Sequence, residues 1–494
     1  MALTTKELAT FCKKKGFIYS SSEIYGGLSG FYDYGHLGTR LKKNFEDIWR
    51  KFFLSLDDNF YEIETANVMH EKVFKASGHL DNFTDPVAIS ETGHFERADH
   101  LLEKSLGKRF EGLTIKEMKD LFERHQIKCP VSGTKIVDVK TFNMMFPLQL
   151  GVGTSQTGYL RPETAQSPYV NFKLQFEILR KKLPMGLGLI GRAYRNEISP
   201  RNLTLRQREF TQAELQIFFN PNKVGTHPDF ESVKDYELNV LLQKDREKGA
   251  PSNKITVSQL VETGLPQFYV YHLAKIQQFY FDVLNIPPEK FRLYQLDDKE
   301  KAFYNKYHFD LEIDLSEHGF TEMGGLHYRT DHDLKGHQEI SKERMEVIDE
   351  NSGEKFIPHV LELSFGVDRH VYSILDLFYK EDKERGNSVM QFAPKLAPFF
   401  CAVFPLVKNK PELVAKAREV YDSIKGCYPA FYDVSGSVGR RYARADEIGT
   451  PYCITVDFDS LEDDMVTLRD RNSTKQERIK ISELKDKLFS YFLA

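Results

Sequence analysis

The sequence predicts an α+β protein, with an antiparallel sheet flanked by helices and a smaller α/β domain behind it. Three observations carry this reading. Residues 208–219 alternate polar and apolar side chains, as a strand with one face on a core does. Within residues 37–56, Leu37, Leu41, Phe45, Ile48 and Phe52 recur at helical spacing, which predicts an amphipathic helix. From residue 399 onward, strand-like and helix-like stretches take turns, the pattern of a small α/β domain with a mostly parallel sheet.

The bulk properties set limits. A chain of 494 residues is too long for one core, and the length prior is about three domains. The net charge of −4 excludes an all-over cationic coat for nucleic acid, though not a local basic patch. The longest apolar runs, such as 398–407, fall far short of the roughly 20 residues of a membrane span, so no membrane partner is expected. Five scattered cysteines (Cys12, Cys129, Cys401, Cys427, Cys453) suit a reducing compartment better than a disulfide framework. Cys129-Pro130-Val131-Ser132-Gly133 looks like half a zinc ribbon with Ser132 in place of the second cysteine, so zinc is not expected. The first residues carry Glu7 and lack both the apolar stretch of a secretory signal and the Arg- and Ser-rich pattern of a transit peptide. A cytoplasmic location is expected.

In chain order, the helix of 37–56 is followed by a charge-rich stretch at 93–140, then by apolar, Gly-punctuated sequence from Phe142. Residues from 221 to about 305 read as a polar, helical insert between strand-rich blocks. Residues 380–398 read as a linker. Beyond it come a strand at 399–407, a helix at 412–424, a strand at 428–434, a helix at 438–447 and a strand at 452–458. The expected division is a first domain over 1–385, interrupted by inserts at about 103–140 and 221–305, and a second over 394–494.

The chemistry begins at residues 191–197 and 208–219, read as two strands joined by the turn Ser199-Pro200-Arg201-Asn202. Alternation puts Arg208, Phe210, Gln212, Glu214 and Gln216 on one face of the second strand, and Ala213, Leu215, Ile217 and Phe219 on the other. Arg195 and Glu197 share a face of the first. A nucleoside triphosphate suits this set. Arg195 can hold a phosphate through a bidentate, charge-assisted contact, Glu197 can accept from the adenine amino group, and Phe210 can stack on the ring. A solvated face with cross-strand ion pairs is the plainer alternative, but it leaves Phe210 on the polar face and the arginines at the turn without a reason.

Residues 195–219 resemble motif 2 of class II aminoacyl-tRNA synthetases, in the wording of the glycyl enzymes. Phe31-Tyr32-Asp33-Tyr34-Gly35 and the following helix (about 30–56) are similar to motif 1, except that His36 stands where the family usually has Pro. Glu362-Leu363-Ser364-Phe365-Gly366-Val367-Asp368-Arg369 (within about 360–380) resembles motif 3. The resemblance implies a homodimer formed through motif 1. It also implies that Arg195 holds the α-phosphate of ATP and Arg369 the γ-phosphate, as the two catalytic residues. Asn196, Glu197, Leu205, Arg206, Gln207, Arg208, Glu209 and Phe210 would line the ATP site together with Met323, Gly366, Val367 and Asp368. Glu322, in Gly319-Phe320-Thr321-Glu322-Met323, would hold the magnesium that travels with ATP.

For the amino acid, the resemblance implies that Glu163, Glu214 and Glu362 converge on the ammonium of glycine, with Ser364 near its α-carbon. Arg97, Phe210, Thr211, Gln212, Ala213, Leu363, Phe365 and Gly366 would line the same pocket. Rejection of larger amino acids would then be mainly steric, and no editing domain is expected. Residues 433–442 and 466–471 resemble the anticodon-binding domain of the same enzymes, which makes Arg440, Arg441, Arg469 and Arg471 candidates for RNA contacts. The implied function is ATP-dependent activation of glycine to glycyl-adenylate and its transfer to the 3′ end of glycine tRNA. One alternative is another class II synthetase with the same kind of C-terminal domain, such as the threonyl, prolyl or histidyl enzymes. A second is a catalytically inactive, synthetase-like accessory protein that binds nucleic acid. Retention of Arg195, Glu197, Phe210, Glu322 and Arg369 argues against the inactive form.

Overall fold

The structure, a computed structural model, describes residues 3–107, 113–153, 156–349 and 352–493. The elements that position the site are α1 (His36–Phe53), β1 (Phe60–Glu62), α2 (Gln166–Ile178), β2 (Met185–Tyr194), β3 (Glu209–Phe219), β4 (Glu237–Leu241), β5 (Asn253–Thr256), α3 (Gln267–Gln278), β6 (Phe291–Gln295), β7 (Tyr307–Leu315), β8 (Gly319–Thr330), β9 (His359–Gly366) and α4 (Val367–Leu377). The nine strands form one sheet in the order β5-β4-β6-β7-β8-β9-β3-β2-β1. Its pairings are antiparallel except β1 with β2 and β4 with β6.

The alternation in β3 sets the layers. Ala213, Leu215, Ile217 and Phe219 face a large core shared with Leu41, Phe45 and Trp49 of α1, Tyr269 and Leu273 of α3, and Val371 and Ile374 of α4. Gln212, Glu214 and Gln216 point to the opposite face, yet they are buried too. There α2 covers the sheet with Tyr169, Phe172 and Phe176 packed on Met185, Leu187 and Phe218. The helix α1 forms where expected, but its inward face continues through Trp49 and Phe53, while Ile48 and Phe52 are only half-buried. Periods of three and four residues both satisfy a helical stripe, and the larger aromatics won the interior. Each such side chain gains about 1.5–3 kcal/mol on burial.

Three expectations need correction. The stretch 221–305 is not a polar helical insert. It supplies β4, β5 and β6, which extend the main sheet, and α3, whose Phe268 to Ile276 are largely buried. Strands of four or five residues interrupted by turns carry too little periodicity to be read against the longer helical pattern beside them. The charge-rich insert is a compact unit wider than 103–140. Strands Phe95–Arg97, Thr84–Ser90 and Ile136–Asn143 form a small sheet, and helices Ala98–Leu106 and Ile115–His125 pack Leu102, Met118 and Phe122 against Ala88 and Val139. The linker at 380–398 begins as a hairpin of Tyr379–Asp382 and Asn387–Met390, tied to the C-terminal unit by Arg385, which donates to the Arg471 carbonyl at 2.8 Å.

That C-terminal unit contains β10 (Cys401–Pro405), α5 (Pro411–Ile424), β11 (Ala430–Tyr432), α6 (Val438–Glu447), β12 (Tyr452–Val456), β13 (Met465–Asp470) and β14 (Gln476–Lys480). The sheet runs β11-β10-β12-β13-β14. Its first three strands are parallel, as expected of βαβ units, but β13 and β14 add antiparallel pairings, so the sheet is mixed rather than mostly parallel. Among the described residues no helix is long and apolar enough to cross a membrane.

Candidate functional site

A cleft of about 330 Å³ opens at the ends of β3, β8 and β9, lined among others by Arg97, Arg195, Glu197, Arg206, Phe210, Gln212, Glu322, Ser364 and Arg369. Residues of the motif 2 and motif 3 segments therefore meet in one place with Glu322, while the motif 1 segment adds none to the lining. Strand β2 ends at Tyr194, so Arg195 and Glu197 are not strand neighbours but lie on the loop that follows. Arg195 is oriented by its Nε, which donates to the Pro162 carbonyl at 3.0 Å, and by rings on either side, with Phe83 and Phe210 centred 5.4 and 5.3 Å from its guanidinium carbon. Phe210, expected to stack under adenine, thus also holds an arginine. Glu197 is buried and ion-paired with Arg206 at 2.8 Å, and the Arg208 Nε donates to its carbonyl at 3.0 Å.

Arg369 sits in the first turn of α4 and is one-third exposed to the cleft. Its Nε donates to the Leu205 carbonyl at 3.2 Å, and its Nη1 lies 2.9 Å from the Glu322 carbonyl and 3.2 Å from the Glu322 carboxylate. Glu322 itself is half exposed. Among the described residues no group of three His, Cys, Asp or Glu side chains could hold a metal by itself. The open carboxylate of Glu322 instead fits an ion that arrives already bound to phosphate oxygens, since magnesium commonly takes only one or two protein carboxylates in such sites.

Several expected residues play other parts. Asp368 is a buried anchor. It accepts from the Thr211 backbone N–H and the Tyr34 hydroxyl, and Lys42 lies 3.5 Å away. Ala213, Leu363 and Phe365 face the core, because strand alternation turns them away from the cleft, and Val367 at the start of α4 packs into the same core. Glu209 pairs with Arg192 at 3.6 Å, and Arg208 donates to the Ser29 carbonyl; neither they nor Asn196 line the cleft. Arg97 does line it, held by Asp85 at 2.9 Å and Asp99 at 2.9 Å.

The three glutamates form a buried cluster behind Ser364, not part of the open cleft wall. The Ser364 hydroxyl donates to Glu214 at 3.0 Å, and the Gln216 amide reaches Glu362 at 2.9 Å and Glu214 at 3.3 Å. Glu163 lies 3.5 Å from His79 and 3.6 Å from Arg329. The sequence reading missed Arg329, the cluster's central cation. It contacts Glu362 at 3.0 Å and Asp333 at 2.9 Å and is 3 % exposed. The one signal in sequence is the i,i+4 spacing of Arg329 and Asp333 at the end of β8; the partners Glu163 and Glu362 are distant in the chain.

The electrostatics are lopsided. Burial and the nearby Glu362 and Glu163 push the Glu214 carboxyl up to about 8. Burial also raises Glu362, although Arg329 opposes it. Burial would raise Glu163 as well, but His79 and Arg329 overcome it and hold that carboxyl well below its usual range. Glu214 accepts from the neutral Ser364 and Gln216 and has no cation at salt-bridge distance among the described residues, with Arg161 acting on it from farther off. A small ammonium ion would complete it.

In the C-terminal unit, three of the four arginines proposed for RNA are structural. Arg441 and Arg471 are buried and donate to backbone carbonyls, Arg441 to Pro405 and Gly436 and Arg471 to Gly449 and Phe392. Arg469 forms a bidentate pair with Asp446 at 2.8 and 2.9 Å. Arg440 alone of the four is exposed.

Residues 401–490 match the family model of the anticodon binding domain. The chain is 37% identical to the glycine–tRNA ligase of Pyrococcus furiosus, covering 97% of this chain and 98% of that protein. It is 35% identical to that of Aeropyrum pernix, covering 98% and 96%. Among solved structures, the prolyl-tRNA synthetase of Cryptosporidium parvum complexed with L-proline and AMP superposes with a TM-score of 0.58 at 13% identity, covering 99% of this chain and 75% of that one. The RNA binding domain of the threonyl-tRNA synthetase of Cryptosporidium parvum gives 0.59 at 16%, covering 98% of both.

Proposed function

The chain belongs to the glycine–tRNA ligase family, which joins glycine to tRNA, and we propose that the cleft at the ends of β3, β8 and β9 is where it activates glycine with ATP. The observation that carries this is the carboxylate cluster behind Ser364. Glu163, Glu362 and Asp333 face one buried arginine, and Glu214 beside them lacks such a partner. Glycine offers an ammonium and almost nothing else, so a pocket for it has to read charge and forbid bulk.

The chemistry asks for no protein nucleophile. Arg195 and Arg369 neutralise the phosphates while the glycine carboxylate attacks the α-phosphate in line and pyrophosphate leaves. The 3′-hydroxyl of tRNA then attacks the adenylate carbonyl. Magnesium bound to ATP would meet Glu322 and offset phosphate charge. The anticodon would be read by the C-terminal unit, with Arg440 the exposed candidate. A homodimer formed through the segment of α1, and work in the cytoplasm, belong to the same reading through the motif 1 resemblance and the cysteine pattern. An inactive accessory protein is disfavoured, because nothing in one would keep Arg195, Arg369 and the glutamates convergent.

Pyrophosphate exchange run with each amino acid in turn tests the reading. Glycine is expected to be the preferred substrate, and better activation of any other amino acid overturns it. Within the same assay, Glu214→Gln keeps the shape and removes the charge. Loss of one partner of a buried charged contact costs on the order of 2–5 kcal/mol, so the KM for glycine is expected to rise roughly thirty- to several-thousandfold, with ATP binding preserved. An unchanged KM removes Glu214 from the site.

The raised Glu214 carboxyl has a consequence for pH. Its proton is held in the empty site below about 8 and must leave before the ammonium can pair with the carboxylate. Glycine affinity is therefore expected to climb with pH, by up to about tenfold per unit for one released proton, and to level off near pH 8. Calorimetric titrations in buffers of different ionisation heat measure the released proton directly. Binding without proton release, at the same affinity across this range, rules the protonation scheme out.

A further inference from the structure

Strands β7 and β8 place two histidines directly opposite each other, His308 and His327, with ring centroids 4.0 Å apart. The next residue in that row is Glu362 of β9, and His327 Nε2 lies 3.6 Å from its carboxylate. The neighbouring row runs Asp310, Gly325, Ser364 and Glu214 across β7, β8, β9 and β3. Gly325 leaves a gap in that row, and the two imidazoles lean into it. A Cβ on Gly325 would stand 2.6 Å from His327 Nε2 and 3.1 Å from His308 Nε2. The neighbouring Gly324 leaves no room either, since a Cβ there would meet the Ser364 carbonyl oxygen at 2.0 Å.

Stability alone would not choose this arrangement. His308 Nε2 lies 3.0 Å from the Asp310 carboxylate, but its Nδ1 is buried without a hydrogen bond among the described residues. An unsatisfied buried polar atom costs about 1–3 kcal/mol, and apolar side chains of similar shape would avoid it. The rings therefore have a use in shape and position beyond packing. Opposed residues on adjacent antiparallel strands sit about 5 Å apart at Cα, so rings over Gly325 are within one side chain's reach of the space beside Ser364.

We propose that the close-packed His308–His327 pair, laid over Gly325 opposite Ser364, is the wall that bars any substrate side chain larger than hydrogen. This rests on the reading that the glycine ammonium pairs with the glutamate cluster and that the α-carbon lies at Ser364. A methyl group projecting from that carbon toward β8 meets two rings held on adjacent strands, and neither can yield without disturbing the His327–Glu362 or the His308–Asp310 contact. The rejection is a collision, stronger than the roughly ten- to two-hundredfold that a pocket merely lacking one methylene's worth of contact provides.

The test is pyrophosphate exchange with glycine and alanine on the full chain carrying His327→Ala or His308→Ala. The second variant leaves the His327–Glu362 contact in place. Relative kcat/KM for alanine over glycine is expected to rise at least about tenfold in either variant. A purely structural role would lower both substrates together and leave the ratio alone, and an unchanged ratio in both variants overturns the wall. The Glu214→Gln variant keeps the two failures apart. If it raises the glycine KM while the histidine variants leave the ratio unchanged, the pocket stands and the wall falls. If it leaves the glycine KM alone, the pocket itself is misplaced.

Discussion

Replacing Arg369 by Ala is expected to slow glycine-dependent pyrophosphate exchange on the order of a hundred- to a thousandfold, the usual effect of removing one preorganised group aimed at developing charge. The tRNA affinity of the variant is expected to be largely unchanged, because the anticodon-binding unit is remote in sequence and has its own core of Phe400, Val403, Leu413 and Val466. The geometry explains why the loss should fall on the rate. Arg369 is held by the Leu205 and Glu322 carbonyls without any substrate, so in the proposed role its guanidinium would need no reorganisation as charge moves onto the leaving phosphates. Arg369→Lys keeps the charge but loses the planar fork that spans both carbonyls, and intermediate activity is expected. Normal exchange by Arg369→Ala would show that the arginine merely braces the cleft.

The second large effect concerns stability. Arg329→Leu removes the cation that Glu362, Asp333 and Glu163 share in a nearly dry interior. Breaking a buried ion pair by deleting one partner typically costs about 3–5 kcal/mol, because the remaining charges stay buried and unpaired. The denaturation midpoint is expected to fall accordingly, together with glycine binding. The pH dependence has a definite sign. Glu163 titrates in the fold well below its ordinary 4.5, so the stability it gains is present above about pH 4.5 and is lost as pH falls through the lower, folded value. The deficit of the variant should therefore be full near neutrality and shrink in acid. A deficit that stays constant down to acid pH would mean that the arginine contributes by packing alone.

How far the sequence foretold all this depends on the range of the forces involved. Alternation along β3 is local, and it correctly sent Ala213, Leu215 and Ile217 into the core and Glu214 to the other face. The same alternation, carried one turn too far, put Arg195 and Glu197 on a strand that ends at Tyr194. The residues of the motif 2 and motif 3 segments do converge, but which of them touch the cleft was not legible. Asp368 adjoins Arg369 and lines the cleft as a buried anchor, whereas Val367 beside it is a core residue.

Arg329 stayed hidden because its worth lies in partners brought together by the sheet and by α2, not in its neighbours. Arg441 and Arg471 were misleading for the converse reason. Nothing in sequence distinguishes an arginine that binds backbone carbonyls inside a domain from one that waits on the surface for RNA. Short strands such as β4 and β5 fell below the length at which periodicity speaks, so a part of the main sheet was mistaken for an insert.

In the proposed site one cleft holds ATP through Arg195 and Arg369 and glycine through the glutamates behind Ser364. A crystal structure with a non-hydrolysable glycyl-adenylate analogue tests it most directly. The α-phosphate position is expected within hydrogen-bond reach of Arg195, the glycine α-carbon beside Ser364, and the ammonium against Glu214 and its neighbouring carboxylates. An ammonium that turns away from that cluster, or an analogue seated elsewhere in the fold, would contradict it.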